Sequence, residues 1–245
     1  MPGVPANPTP AQVINLSLGE QAECAPGYQQ VIASRRWRTG SRGRSSHRAG
    51  NDGDADVATN TPSNCPGVIS VGACPLPPAA ELRTGNFGAT MTISAPGGDT
   101  FGRSDGIEIL SNLGHSVPTT DGLDVGNGTS YAAPMVSGVI SLMLAVAPGL
   151  SASQVRAILA SSAKPLPSGL TAMTATCGAG IVDVHAAVQA ARRHRRVVGE
   201  FRRLVVERAA RGSESGWGIN FAHQGDHDLR LVVHLRSERA RHGGW

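Results

Sequence analysis

The sequence predicts an α/β fold, and three observations predict it. Tyr131 to Ala147 contains no charged residue and reads as one long helix buried on all sides. Ser151-Ala152-Ser153-Gln154 is a capping-box pattern that opens a second, amphipathic helix through Val155, Ile158 and Leu159, ending near Ala163. Val13-Ile14-Asn15-Leu16-Ser17-Leu18-Gly19 is a short apolar run that reads as a buried strand.

The elements follow in chain order. Residues 1–10 start at Met1 and run through Pro-Gly-Val-Pro-Ala-Asn-Pro-Thr-Pro, a linker-like stretch without a signal-peptide pattern. Ala49-Gly50-Asn51-Asp52-Gly53 taken alone is a turn. Asp52, Asp54 and Asp56 alternate in a Gly-rich loop, a spacing that hard cations such as calcium can use. The later glutamate of an EF-hand is missing, so a solvated loop is favoured and no metal is assigned. Gly126 and Gly128 free the backbone before the long helix. Pro134 is tolerated in its first turn, and Pro148-Gly149 stops it. Pro165 to Thr176 reads as a loop, and Ile181 to Ala191 as the last helix. There is no internal repeat.

Ser130 would place its hydroxyl at the positive end of the helix dipole. The local sequence leaves two readings open: a nucleophile, or an ordinary Ser/Thr helix cap. A nucleophile elbow is excluded, because Gly-x-Ser-x-Gly needs glycine where Ala132 stands.

Composition bounds the rest. A chain of 245 residues allows one large domain. With 31 Gly, 16 Pro and only 4% aromatics, it is loop-rich and its core is built from small aliphatics. No run of 18 apolar residues suggests a membrane span, so no membrane partner is expected. Cys24, Cys65, Cys74 and Cys177 lack metal-ligand spacing.

Gly128-Thr129-Ser130-Tyr131-Ala132-Ala133-Pro134-Met135-Val136-Ser137-Gly138 resembles the serine motif of the subtilisin-like proteases, the subtilases of peptidase family S8. Further segments resemble that family in the right order. Val13 to Gly19 resembles its substrate-binding strand, and Ala49 to Gly53 its oxyanion-hole segment. Pro66-Gly67-Val68-Ile69-Ser70-Val71-Gly72-Ala73 and Ile93-Ser94-Ala95-Pro96-Gly97 resemble two core strands. Cys177-Gly178-Ala179-Gly180-Ile181-Val182-Asp183 resembles the segment before the last core helix. The resemblance spans roughly Pro10 to Ala191.

The resemblance implies a three-layer subtilisin-like fold with a mainly parallel sheet, its N-terminal part missing. It implies a secreted serine endopeptidase that cleaves polypeptides without a cofactor; structural calcium occurs in the family but is not assignable here. Ser130 would attack the scissile carbonyl. The Asn51 amide and the Ser130 backbone N–H would bind the oxyanion, an interaction worth about 10²–10³ in turnover; the worked example behind that magnitude is subtilisin itself. Ser17, Leu18 and Gly19 would pair with an extended substrate. Ala49 and Gly50 would wall the pocket for the residue before the cleaved bond. In secreted relatives, cysteines placed like Cys24 and Cys65 form a disulfide, while Cys74 and Cys177 are a less favoured pair. Four free buried thiols are the alternative for a chain kept in the cytosol.

Subtilases order their triad Asp, His, Ser. Only twelve residues precede Val13, and they contain neither Asp nor His. His47, His115, His185, His194, His223, His227, His234 and His242 all lack the family's His-Gly-Thr context, and His115 reads as a surface-loop residue. An unactivated serine hydroxyl is a weak nucleophile. The chain is therefore expected to be a C-terminal portion, inactive alone, with an upstream fragment supplying Asp and His.

Arginine marks two anomalies. The resemblance implies a helix end after Val31-Ile32-Ala33 and then a buried strand, but residues 34–48 hold six arginines there, and residues 191–245 hold twelve. Together they account for 18 of the 22 Lys and Arg residues, and Lys164 is the one lysine of the 22. Such a run is not expected inside a sheet, where each unpaired buried charge costs several kcal/mol. GC-rich DNA read out of frame yields this arginine bias, and a one-base shift of 35–48 can restore an apolar run. Residues 34–48, 192–211 and 227–245 are therefore read as candidates for frameshifted sequence. Between the last two, Glu214 to Asp226 resembles a motif in C-terminal extensions of secreted proteobacterial proteins. The expected organisation is a linker-like start at 1–10, a partial catalytic domain at 11–191, and an Arg-rich extension at 192–245, disordered or out of frame.

Two other functions compete with the protease. One is a non-catalytic remnant that keeps the signature alone. The other is a nucleic-acid binder, since a net charge of +4 and a pI near 9.2 favour polyanions. No zinc, helix-turn-helix or RNA-recognition motif accompanies the arginines, so nucleic acid is the least favoured partner.

Overall fold

The computed structural model describes residues 11–33, 44–48, 56–74, 85–98, 106–114, 116–166 and 177–211. The chain divides into two compact units, Met1–Arg192 and Arg193–Trp245.

The first unit is built on a four-stranded parallel sheet. Its strands are β1 (Val13–Leu16), β3 (Arg44–Arg48), β5 (Ile69–Cys74) and β6 (Ile93–Pro96), in the order β1-β3-β5-β6. Parallel neighbours need crossover connections. Helix α1 (Pro26–Ala33) lies within the first of these. Beyond β6 the sheet is continued by bridges, with Ser94 beside Ile181 and Ile181 beside Lys164. A two-stranded pair, β2 (Glu20–Gln21) and β4 (Asn60–Thr61), runs antiparallel. So does the hairpin of β7 (Ile107–Asn112) and β8 (Asp121–Gly126).

Helix α2 (Thr129–Val146) packs against all four strands of the parallel sheet. Val136, Val139, Ile140, Met143 and Leu144 meet Ile69, Val71, Ile93 and Ala95 in one core. The small side chains of Ala132 and Ala133 are fully buried there. The expectation of a helix buried on all sides is corrected. Pro134, Gly138, Ser141, Leu142 and Ala145 form an exposed stripe at helical spacing, with Leu142 51% exposed. Absence of charge says that a helix tolerates burial, not that every face has a neighbour. The same low polarity makes α2 apolar and long enough to cross a membrane by length and composition, contrary to the reading of the linear sequence. Its packing on the sheet is that of a core helix.

Helix α3 (Ala152–Ser162) has the predicted capping box. The Ser151 hydroxyl accepts from the Gln154 N–H at 3.2 Å, and the Gln154 side chain accepts from the Ser151 N–H at 2.8 Å. Val155, Ile158 and Leu159 are its buried stripe. On its other side Arg156, half-buried, donates to the Val68 carbonyl just ahead of β5, and burial pushes its pKa down.

The last helix differs from its expected bounds. Helix α4 runs Val184–Arg211, beginning three residues later and ending twenty residues beyond Ala191. Ile181 is taken by the sheet bridges, and Asp183 caps the helix by accepting from the Ala186 N–H at 2.9 Å. Its continuation follows from composition: Ala, Arg, Leu and Glu favour helix, and no proline interrupts 184–211. Residues 192–211 are thus helical, where an extension without structure was one expectation. In the second unit, the helix exposes Val197 and Val198.

Strand β3 also departs from expectation. The arginine-rich stretch was not expected in a sheet interior, yet Arg44–Arg48 pairs with β1 on one side and β5 on the other. Backbone pairing needs only N–H and C=O groups, which RSSHR supplies as well as any apolar strand. The expected helix end at Val31–Ala33 coincides with the end of α1, and the rest of the arginine-rich stretch, 34–43, lies outside the described residues.

Candidate active site

Ser130 is the second residue of α2. The cap is Gly128, with φ +121°, a conformation that favours glycine, and it makes no side-chain capping bond. Instead its N–H donates to the Gly97 carbonyl at 2.7 Å, and its carbonyl accepts from the Tyr131 N–H at 3.1 Å. The loop after β6 thereby ties the start of α2 by a backbone hydrogen bond. This removes the ordinary-cap alternative for Ser130, whose hydroxyl is not used to close the helix end. Thr129 is fully buried and Ser130 half-buried. The first-turn N–H groups and the helix dipole favour negative charge at this end. The Tyr131 ring lies against Gly126 at the end of β8, so the hairpin abuts the same turn.

The carboxyl end of β1 meets this turn. Ser17 follows β1 directly, and its hydroxyl donates to the Ser130 carbonyl at 2.8 Å. The Asn15 amide donates to Ser17 Oγ at 3.0 Å, and Ser137 on α2 donates to Asn15 Oδ1 at 3.3 Å. Leu18 is 49% exposed. Gly19 lies against β4, where an added Cβ would sit 2.7 Å from the Thr61 carbonyl oxygen. Ser17, Leu18 and Gly19 therefore belong to a segment tied to the serine turn at one end and to β4 at the other.

Ala49, Gly50 and Asn51 lie outside the described residues, following directly on the carboxyl end of β3, where His47 pairs in register with Leu16. His115 also lies outside them. Among the described residues, no His, Asp or Glu side chain hydrogen-bonds the Ser130 hydroxyl, and no group of three His, Cys, Asp or Glu side chains could hold a metal. Asp56 is occupied as the cap of a short 3₁₀ turn, accepting from the Ala58 N–H at 2.9 Å; Asp52 and Asp54 lie outside the described residues.

Cys24 and Cys65 are joined by a disulfide with Cα atoms 5.1 Å apart. Cys177 is buried, and burial pushes the pKa of its thiol up, which disfavours the thiolate. The sequence reading missed the β7–β8 hairpin, although half-buried Ile107, Ile109 and Ser111 alternate strictly with exposed neighbours. It also missed Asn15 and Ser137, whose partners are remote in sequence.

Comparisons with known proteins agree with this architecture. A family model described as the Subtilase family matches residues 4–180. An extracellular protease of Xanthomonas campestris pv. campestris is 38% identical over 192 residues, covering 77% of this chain and 30% of that protein. An extracellular basic protease of Dichelobacter nodosus is 33% identical over 192 residues, covering 77% and 29%. A solved protease from Pseudoalteromonas arctica superposes with a TM-score of 0.68 at 35% identity, covering 78% of this chain and 54% of that one. The chain spans about 30% of the length of these curated relatives.

Proposed function

This chain belongs to the subtilase family, and on that premise we propose that it carries the nucleophile and substrate strand of a secreted serine endopeptidase. The observation that supports this most directly is the meeting of Ser130 and Ser17. A serine stands in the first turn of the helix that packs on the sheet, free of capping duty, beside the carboxyl end of a parallel strand. Ser130 Oγ attacks the scissile carbonyl of a polypeptide. The oxyanion that develops is held by the Ser130 N–H and the Asn51 side-chain amide, with Ala49 and Gly50 beside the residue preceding the cleaved bond. Ser17, Leu18 and Gly19 receive the extended substrate by strand addition.

The base and its orienting carboxylate come from an upstream segment that supplies His and Asp. Among the described residues no acid or base is hydrogen-bonded to the Ser130 hydroxyl, and an unactivated serine hydroxyl is a weak nucleophile, which supports reading the chain as inactive without that segment. This absence also favours a second reading, a non-catalytic remnant. A serine-reactive phosphonate separates the two. With the Asp- and His-bearing segment supplied, Ser130 becomes labelled and S130A does not. Failure to label under those conditions refutes the protease reading and leaves the remnant.

A further inference from the structure

Each carbonyl of an α-helix accepts from the N–H four residues later. For Ser130 that donor is position 134, and Pro134 has no N–H. Pro134 is the sixth residue of α2, beyond the first turn in which the sequence placed it, so it strips the nucleophile's own carbonyl of its helical partner.

The structure supplies a substitute from 113 residues away. The Ser17 hydroxyl donates to that carbonyl at 2.8 Å. A hydroxyl has one proton to give. Asn15 Nδ2 donates to Ser17 Oγ at 3.0 Å, so the oxygen accepts from Asn15 while its proton points to Ser130. Asn15 is in turn held by Ser137, which donates to its Oδ1 at 3.3 Å. The chain of bonds leaves α2 at Ser137, crosses β1 through Asn15 and Ser17, and returns to α2 at Ser130.

We propose that Ser17 and Asn15 are positioning residues for the Ser130 nucleophile. Their side chains replace the hydrogen bond that Pro134 removes and set the first turn of α2 against the substrate strand. The proposal rests on the protease reading of Ser130. Ser17 then has two tasks: its backbone faces the substrate and its side chain holds the turn that bears the nucleophile. Helix ends fray, and a frayed first turn moves both the Ser130 hydroxyl and its N–H. A small misplacement of reacting groups costs large factors in rate.

Two measurements on the full chain test this. Ser130-Tyr131 is the only Ser-Tyr pair in the sequence. Labelling serine carbonyls with ¹³C and tyrosine amides with ¹⁵N therefore gives one carbonyl–amide cross-peak that reports the Ser130 carbonyl. S17A moves its carbon shift upfield and S17T restores it. In a P134A background, where the substituted residue provides the missing N–H, S17A has little effect. A cross-peak that S17A leaves in place, or moves equally in both backgrounds, overturns the proposal.

The second measurement is phosphonate labelling of Ser130 with the Asp- and His-bearing segment supplied. S17A slows it about tenfold, the scale of one lost hydrogen bond, and S17T or P134A recovers the rate. Slowing that P134A does not relieve overturns the positioning role. Absence of labelling in every variant, wild type included, counts against the protease reading, and the cross-peak still decides the hydrogen bond.

Discussion

Removing the Cys24–Cys65 disulfide tests how this loop-rich unit is stabilised. The bridge spans a sequence separation of 41. Closing a loop of that length in the unfolded chain removes about 13 cal/mol/K of entropy, or about 4 kcal/mol at 25 °C. Domains of this kind are stable by only about 5–15 kcal/mol, so the loss is a large fraction of the whole. The folded state around the bridge is held independently. Asn64 Nδ2 donates to the Ala22 carbonyl at 2.9 Å and to the Ala58 carbonyl at 3.0 Å, and the Ala22 N–H donates to the Thr59 carbonyl at 2.8 Å. The C24S/C65S variant should therefore keep its native structure while losing stability. Equilibrium urea unfolding followed by circular dichroism measures this. With a slope of about 2 kcal/mol/M, the midpoint falls by roughly 2 M. A midpoint that moves by less than a quarter of this refutes the loop-entropy account. Loss of amide protection at Ala22 under native conditions would show instead that the bridge acts on the folded state.

Two further predictions concern Asp183 ahead of α4 and the arginines of β3. The Asp183 carboxyl is held below the usual carboxylate range, first by the Ala186 N–H and then by Lys164, whose Nζ lies 3.3 Å away. A depressed folded pKa stabilises above the unfolded value of about 3.9 and loses that contribution as pH falls through the folded value. The stability gap between wild type and D183A, read by thermal unfolding, should be flat at neutral pH and narrow in acid below about pH 4; a gap independent of pH contradicts the assignment. For β3, an inner parallel strand calls for apolar residues on both faces, and Arg44 and Arg48 depart from that. R44V/R48V should raise the midpoint of urea unfolding. A loss would show that the arginines are accommodated, and an intact single reading frame in close relatives would sink the frameshift proposal for 34–48.

Much of the fold is legible in short stretches. The α3 capping box, the α2 stop at Pro148-Gly149 and the strand at Val13, half-exposed where burial was expected, are local, while the strands at Ile69 and Ile93 were legible through the family resemblance. The boundaries of α4 were less legible. Its start was displaced because Ile181 serves the sheet, and its end because helix propensity carries it through a segment that composition alone made suspect. The exposed stripe of α2 could not be foreseen, because an uncharged helix looks the same whether or not its far side is covered.

The sequence by itself determined that a serine opens an uncharged helix and that a proline follows it four residues later. It also determined which family motifs surround them. Those are properties of neighbouring residues, fixed by backbone geometry and capping. Only the tertiary structure decided what answers the carbonyl that Pro134 leaves unpaired. Strand order β1-β3-β5-β6 brings Ser17 to Ser130 across 113 residues. A hydrogen bond depends on distance in space, and a linear pattern carries no measure of that.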